Sequence, residues 1–160
     1  MNTMAFRLFT ALILALALTI LPFPDLLQGL RPPWVLILVL YLQFFLPDYF
    51  NVIILLVVGL ILDVLLSTVM GEHAFALSMV TWIASNKARR FLFFSVGQQM
   101  ILVGCFCLLY QLIILIIEAF LGYQMSLLMS LASALISMLL WPWIRVIADD
   151  ALYARSFHKK

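Results

Sequence analysis

Residues 52–71 read VIILLVVGLILDVLLSTVMG, and this stretch decides the fold. Between Val52 and Val69 it holds 14 Leu, Ile or Val residues and one acid, Asp63. On membrane-insertion scales those 14 side chains contribute roughly 4 to 8 kcal/mol of favourable transfer, whereas a central Asp costs about 2.5 to 3.5 kcal/mol. The stretch is therefore predicted to cross a membrane, with Asp63 near its middle and facing protein or water.

The whole chain has the same character as this stretch. Of its 160 residues, 67% are hydrophobic and 10% are charged, and the mean hydropathy is +1.22. Soluble domains are usually about 45–50% apolar and about 25% charged, and disordered chains are poorer still in apolar residues. The composition excludes both classes. A net charge of only +2 argues against a nucleic-acid partner.

Five further apolar runs lie before and after residues 52–71, and prolines separate several of them. Proline fits the first turn of a helix and disfavours its continuation, so Pro22, Pro32 and Pro47 indicate helix boundaries. The chain is predicted to be an all-α, polytopic six-helix bundle that forms one transmembrane domain over residues 1–160. The predicted spans cover about residues 8–21, 34–46, 52–70, 73–90, 100–121 and 126–147.

Orientation follows from the basic residues. Six spans place both termini on one side, and eight of the nine Lys and Arg residues fall there, leaving Arg31 opposite. Basic residues concentrate on the cytoplasmic face, so both termini are predicted to be cytoplasmic. The N-terminal apolar run also loosely fits a signal peptide that is cleaved at Ala15-Leu16-Ala17, but its continuation to Leu21 favours an uncleaved span.

One stripe of small or polar residues carries the clearest candidate site. Gly59, Asp63, Ser67 and Gly71 recur every four residues, which places them along one side of a helix. Small residues let another backbone approach, and the aspartate can form hydrogen bonds across the contact. Two interpretations remain open: packing within the bundle, or a site for a ligand, an ion or a partner.

Other polar and aromatic positions are secondary candidates. Gln43 is predicted to pair with a neighbouring helix. Glu118, near the end of the fifth span, is either a solvated helix end or part of a site. Tryptophan favours the membrane interface and proline kinks helices, so Trp141, Pro142 and Trp143 are predicted to anchor and kink the inner end of the last span. A docking role for these three residues is the alternative.

The sequence lacks the residue patterns of catalysis. His73 and His158 are predicted on opposite sides of the membrane, and no HExxH, GxSxG, GxxxxGK[ST] or metal-binding cysteine pair occurs. We therefore expect no enzyme activity, no metal and no cofactor. Proton or ion transport remains an alternative, because a buried acid such as Asp63 is also what a proton relay uses.

Four local strings, taken in order, resemble a known family. LPFPD at 21–25, LRPPWV at 30–35, GLILD at 59–63 and LWPW at 140–143 are together similar to the MreD family of rod shape-determining proteins of Gram-negative bacteria. The resemblance extends over nearly the whole chain. It implies a multi-pass protein of the bacterial inner membrane, surrounded by lipid, whose fold is similar to the substrate-binding subunits of energy-coupling-factor vitamin transporters.

The resemblance also implies partners. Members act without catalysis in the cell-elongation complex that organises lateral peptidoglycan synthesis. They associate with the single-span protein MreC and, through it, with an MreB-like filament, a RodA-type glycosyltransferase and a penicillin-binding transpeptidase. On this reading the stripe and the outer-loop residues Arg31, Pro32 and Trp34 hold the bundle in the shape that docks MreC.

A vitamin-binding transporter subunit is the rival function. ALILA at 11–15 matches the AxxxA face by which such subunits dock their transducer. The outer half of the chain, however, offers few convergent polar groups for a small-molecule pocket, namely Asp25, Arg31, Glu72, His73 and Glu118.

The topology can be tested with two fusions. A reporter placed after Glu72 is expected outside the cytoplasm and one placed after Phe91 inside it, because the basic loop at 87–90 should remain cytoplasmic. Paired phosphatase and fluorescent-protein fusions measure this, and reporting from the same compartment would refute the six-span map.

Overall fold

The computed structural model describes residues 3–21, 31–47, 51–122 and 127–153. Every regular element within these ranges is helical, which confirms the all-α class. The helices, in chain order, are α1 (Thr3–Ile20), α2 (Trp34–Phe45), α3 (Val52–Leu66), α4 (Glu72–Ser85), the single turn α5 (Ala88–Phe91), α6 (Val96–Phe120) and α7 (Leu127–Tyr153).

The helices differ in length. Segments Val96–Phe120 and Leu127–Asp150 are long and apolar enough to cross a membrane, and Phe6–Ile20, Trp34–Phe45 and Val52–Leu66 are shorter apolar helices. At about 1.5 Å per residue, α6 is about 37 Å long, whereas α2, α3 and α4 are about 18 to 23 Å long. The middle helices are therefore shorter than the roughly 30 Å thickness of bilayer hydrocarbon.

The third helix ends earlier than the apolar run predicts. It begins at Val52, after the cap residue Asn51, whose side chain accepts a hydrogen bond from the Ile53 N–H at 2.9 Å, and it ends at Leu66. Ser67 then adopts a left-handed conformation with φ 53°, and Gly71 has φ 97°. Ser67 and Gly71 therefore lie in the α3–α4 turn and not on the helix that the four-residue spacing implied.

The fourth helix also stops short of its predicted end. It ends at Ser85, and the chain turns so that Phe91 enters the core, stacked on Phe44 with 3.9 Å between ring centroids. Burial of that ring takes the place of a helix continued to residue 90. Phe93, two residues later, is 90% exposed, so the aromatic side chains of this segment divide between core and surface.

The last two helices extend beyond their predicted ends. α6 begins after Ser95, which forms a reciprocal capping box with Gln98, four residues before the predicted start at 100. α7 contains Pro142 and nevertheless continues to Tyr153. A proline removes one backbone donor and does not by itself end a helix whose later turns are held by other contacts.

The helices pack around α2 and α4. α3 packs chiefly on α4, and α6 packs on both α4 and α7. The most buried positions include Leu40 and Tyr41 of α2 and Leu77 and Val80 of α4. The outward faces of α3 and α7 carry mostly apolar side chains, the pattern expected of a bundle whose surroundings are lipid.

Gly59 sets the distance between α3 and α4. A Cβ atom at this position would lie 2.8 Å from both the Cβ and the backbone N of Ala74, and it would also overlap Ala74 Cα. The two backbones are therefore in direct contact, which is the close approach that a small residue permits between helices.

Substitution of Gly59 by alanine should destabilise the protein. Because the Ala74 backbone cannot move aside as a flexible side chain would, G59A is expected to lower the free energy of unfolding by about 1–3 kcal/mol. Denaturant or thermal unfolding in detergent measures it. Gly97→Ala is the matched control, since nothing lies within 4 Å of a Cβ there; equal effects of the two variants would contradict the packing account.

Candidate functional site: the α3–α4 turn

Asp63 closes the turn between α3 and α4. Its side chain is essentially buried, at 1% exposure. Oδ2 accepts a hydrogen bond from the Gly71 N–H at 2.7 Å, and Oδ1 accepts one from the His73 N–H at 2.8 Å. These amides lie at the start of α4, where a helix has unsatisfied N–H groups and a positive dipole end. Asp63 therefore caps α4 from the neighbouring helix.

His73 adds a side-chain contact to the same carboxylate. Its Nδ1 lies 3.0 Å from Asp63 Oδ1, and the Thr68 hydroxyl lies 3.5 Å from that oxygen. A carboxylate oxygen accepts, so this contact is a hydrogen bond in the tautomer that carries its hydrogen on Nδ1. Four donors therefore surround one acid, which is how a buried charge becomes tolerable in an apolar bundle.

The position of Asp63 differs from the sequence-based expectation. The apolar run placed it near the middle of a span, whereas the structure places it in the last turn of the 15-residue helix α3. The reason is that the chain leaves the helix after Leu66, and the turn brings the N–H groups of Gly71 and His73 to the Asp63 carboxylate. Gly59 and Asp63 both contact α4 within the chain, while Ser67 is exposed and Gly71 is half-buried in the turn.

Two further acids lie beside this turn. Glu72 and Glu118 line one cavity of about 410 Å³ together with Ser67, Thr68 and Val69; we call this cavity the acidic recess. We call the end of the bundle that holds Asp63, Glu72 and Glu118 the acidic end. Glu118 thus shares a cavity with Glu72, which was not among the principal sequence candidates.

The segment containing Arg31 is fastened to α7. The Ser133 hydroxyl donates to the Arg31 carbonyl at 2.5 Å, and Gln111 Nε2 donates to Ser133 Oγ at 2.6 Å. Pro32 is buried, and Trp34 is half-buried against the core. The outer-loop candidates are thus anchored beside α6 and α7, and they are not among the residues that line the acidic recess.

Gln43 links two other helices. Its Nε2 donates to the Thr81 carbonyl at 2.7 Å, which joins α2 to α4 inside the core. Thr81 lies nine residues beyond Glu72 on α4, so at about 1.5 Å per residue this bond is about 13 Å along the helix from the acidic end. The structure does not bring Gln43 together with Asp63.

The two tryptophans of the predicted anchor differ in burial. Trp141 is fully buried and meets the Phe91 ring edge-on at 5.8 Å between centroids. Trp143 is 71% exposed. The predicted interfacial position therefore fits Trp143, whereas Trp141 is a core residue because Phe91 folds back against it. Pro142 lies between them inside continuous helix.

A polar network at the opposite end was not recognised from the sequence. Arg145 donates to Gln99 Oε1 at 2.8 Å and lies 3.7 Å from Asp149, whose Oδ1 accepts from the Tyr41 hydroxyl at 2.5 Å. The Arg145 guanidinium also lies over the Phe45 ring. The only hint in the sequence was polar residues recurring within apolar helices. We call this the basic end, marked by Lys87, Arg90 and Arg145.

Replacing the carboxylate of Asp63 tests the capping role. Asp63→Asn should lower the free energy of unfolding by about 2–4 kcal/mol, because an amide replaces one acceptor oxygen with a donor that faces an N–H group. Thermal unfolding in detergent measures it. Thr68→Val, which removes the weak contacts of its hydroxyl with Asp63 Oδ1 at 3.5 Å and His73 Nδ1 at 3.3 Å, is the control and should cost less than about 1 kcal/mol. Equal losses would contradict the capping account.

Comparisons with known proteins agree with the resemblance. The family model described as rod shape-determining protein MreD matches residues 2–149. The chain is 28% identical over 144 residues to the rod shape-determining protein MreD of Haemophilus influenzae, covering 87% of this chain and 86% of that protein. No solved structure matches it. Within the described ranges, no group of three or more His, Cys, Asp or Glu residues is placed to hold a metal. The chain belongs to the MreD family of rod shape-determining proteins.

Proposed function

We propose that this chain is a non-enzymatic, multi-pass subunit of the bacterial cell-elongation complex in the inner membrane, with both termini cytoplasmic. In this role it docks a single-span, MreC-like partner. Through that partner it helps organise lateral peptidoglycan synthesis by an MreB-like filament, a RodA-type glycosyltransferase and a penicillin-binding transpeptidase. Family membership over residues 2–149 supports the role in rod shape, and the placement of α3 supports docking.

The observation that carries the docking proposal is the one-sided packing of α3. It is held against α4 by the Gly59 contact and by Asp63, and it makes few contacts with other helices. Its remaining surface is apolar and exposed. Four of these residues follow the i, i+4, i+7, i+11 spacing of one helical face: Ile53, Val57, Leu60 and Val64.

Such a face suits a single transmembrane helix. A partner helix packed along α3 would meet aliphatic side chains held on a support that cannot shift, because α3 is fastened to α4 at Gly59 and at Asp63. Rigid support reduces the ordering cost of association. Asp63 and Gly59 thus serve docking by positioning α3, and the outer-loop residues Arg31, Pro32 and Trp34 serve it by fastening the chain to α7.

The basic end fits the cytoplasmic side of the complex. Lys87 and Arg90 are exposed beside Phe93, a combination of basic and aromatic side chains that suits lipid headgroups or an acidic protein surface. In the proposal this end faces the filament. The same orientation puts the acidic end, with the α3–α4 turn, on the periplasmic side.

The likeness to vitamin-binding transporter subunits enters the proposal as a matter of fold alone. In the rival function, the Ala11–Ala15 face of α1 would dock a transducer. Ala15 is instead buried in the core, where α1 packs mainly on α2. That placement favours the shape-complex role over the transporter role.

Photocrosslinking in native membranes tests the docking face. A photoreactive residue at Val57 is expected to yield an adduct with the MreC-like protein, because this side chain lies centrally on the exposed face of α3. Leu139 of α7 is an equally apolar, exposed control, and it should yield none. Adducts from Leu139 with none from Val57 would move the docking site away from α3.

The support of α3 can be tested in the same cells. Asp63→Leu removes the cap on α4, so recovery of the partner by co-purification should fall and rod-shaped cells should become round. Immunoblotting of membranes controls for protein level. Normal partner recovery together with normal shape would contradict the role given to Asp63.

A further inference from the structure

The acidic recess lies below the end of α6. The His73 ring is level with Tyr110 of α6, with 6.1 Å between centroids. α6 continues for ten more residues, to Phe120, which adds about 15 Å of helix. The α3–α4 turn therefore forms the floor of the recess, and the last turns of α6, which carry Glu118, form a wall.

Two carboxylates in the recess are incompletely hydrogen-bonded. Oε1 of Glu72 and Oε2 of Glu118 are buried and have no hydrogen-bond partner among the described residues. Glu72 is 97% buried, since its exposure is 3%, and it lines the cavity. The nearby backbone donors of Gly71 and His73 are already used by Asp63. Burying a carboxylate oxygen without a donor is costly, and two acids that line one cavity also repel each other.

An organic cation fits this recess better than a bare metal ion does. Ca²⁺ takes six to eight oxygen ligands, whereas the recess offers two acids, and no third metal-ligating side chain joins them in the described part of the chain. A cavity of about 410 Å³ is also far larger than a bare ion needs. A guanidinium or ammonium group on a flexible stem fills more space and can donate to both carboxylates at once.

The position of the recess indicates where such a cation comes from. Ser67 and Thr68 line it and directly follow α3, so a partner chain that leaves the membrane along α3 emerges next to residues that line the recess. We propose that the acidic recess binds an arginine or lysine side chain that the docked partner presents just outside its membrane span, bridging Glu72 and Glu118. This rests on the proposed function for the identity of the partner.

The proposal predicts opposite effects on stability and on binding. In the double variant Glu72→Gln/Glu118→Gln, the isolated chain should unfold at a higher temperature, because two partly buried acids that repel each other are replaced by neutral amides. Recovery of the MreC-like partner from detergent-solubilised membranes should fall at least tenfold. Asp150→Asn, which removes an exposed charge at the other end of the bundle, should leave partner recovery unchanged.

A small cation provides a readout that does not need the partner. Arginine methyl ester carries a guanidinium and no carboxylate, and it should raise the unfolding temperature of the purified wild-type chain but not that of the double variant. Magnesium chloride at the same concentration should not distinguish the two proteins. A shift by magnesium in the wild type alone would mean a metal site and would overturn the proposal.

The remaining outcomes are also decisive. If the double variant unfolds at a lower temperature, the two acids are structural; if it keeps full partner recovery, no partner side chain occupies the recess. Phosphatidylethanolamine nanodiscs test for a lipid headgroup. If they stabilise the wild type but not the double variant, and the double variant still recovers the partner, the site binds a lipid headgroup. If the wild type responds to arginine methyl ester but recovers no partner, the docking function fails while the cation preference stands.

Discussion

The rest of the structure depends on the hydrogen bonding of the Asp63 carboxylate. An ionised acid within an apolar bundle is tolerable only when donors replace the water it has lost. The first amides of α4 supply those donors, and His73 adds a third. To bring them within reach, α3 must end at Leu66 and Gly71 must adopt a positive φ. One carboxylate thereby determines where two helices end and begin.

The consequence is a rigid but peripheral hairpin. Gly59 brings the α3 backbone against Ala74, and Asp63 fastens the same pair at the turn, so α3 is fixed while most of its surface is exposed. Such a surface favours association, because binding costs less when the surface is already ordered. The two ends of the bundle differ in charge, with Glu72 and Glu118 at one end and the exposed Lys87 and Arg90 at the other.

Much of the architecture was predictable from the sequence, and the errors have identifiable causes. The all-α class and the family follow from the apolar runs and the four local strings. The helix ends of α3, α4 and α7 did not, because hydropathy cannot distinguish an apolar residue in a helix from one in a turn. Val69 and Met70 continue the apolar run and yet lie beyond the end of α3. Trp141 and Trp143 look equivalent in sequence, but only the fold-back of Phe91 decides which of them is buried.

The sequence by itself determined the membrane environment, the helical class and the family of this protein, because each depends on composition or on local order along the chain. Only the tertiary structure decided the roles of the polar residues. Asp63 became a cap on α4, Gln43 a bond between helices, and Glu72 and Glu118 joint walls of one recess. These relations depend on which turns of separate helices lie at the same level, and that is set by three-dimensional packing and not by spacing along the chain.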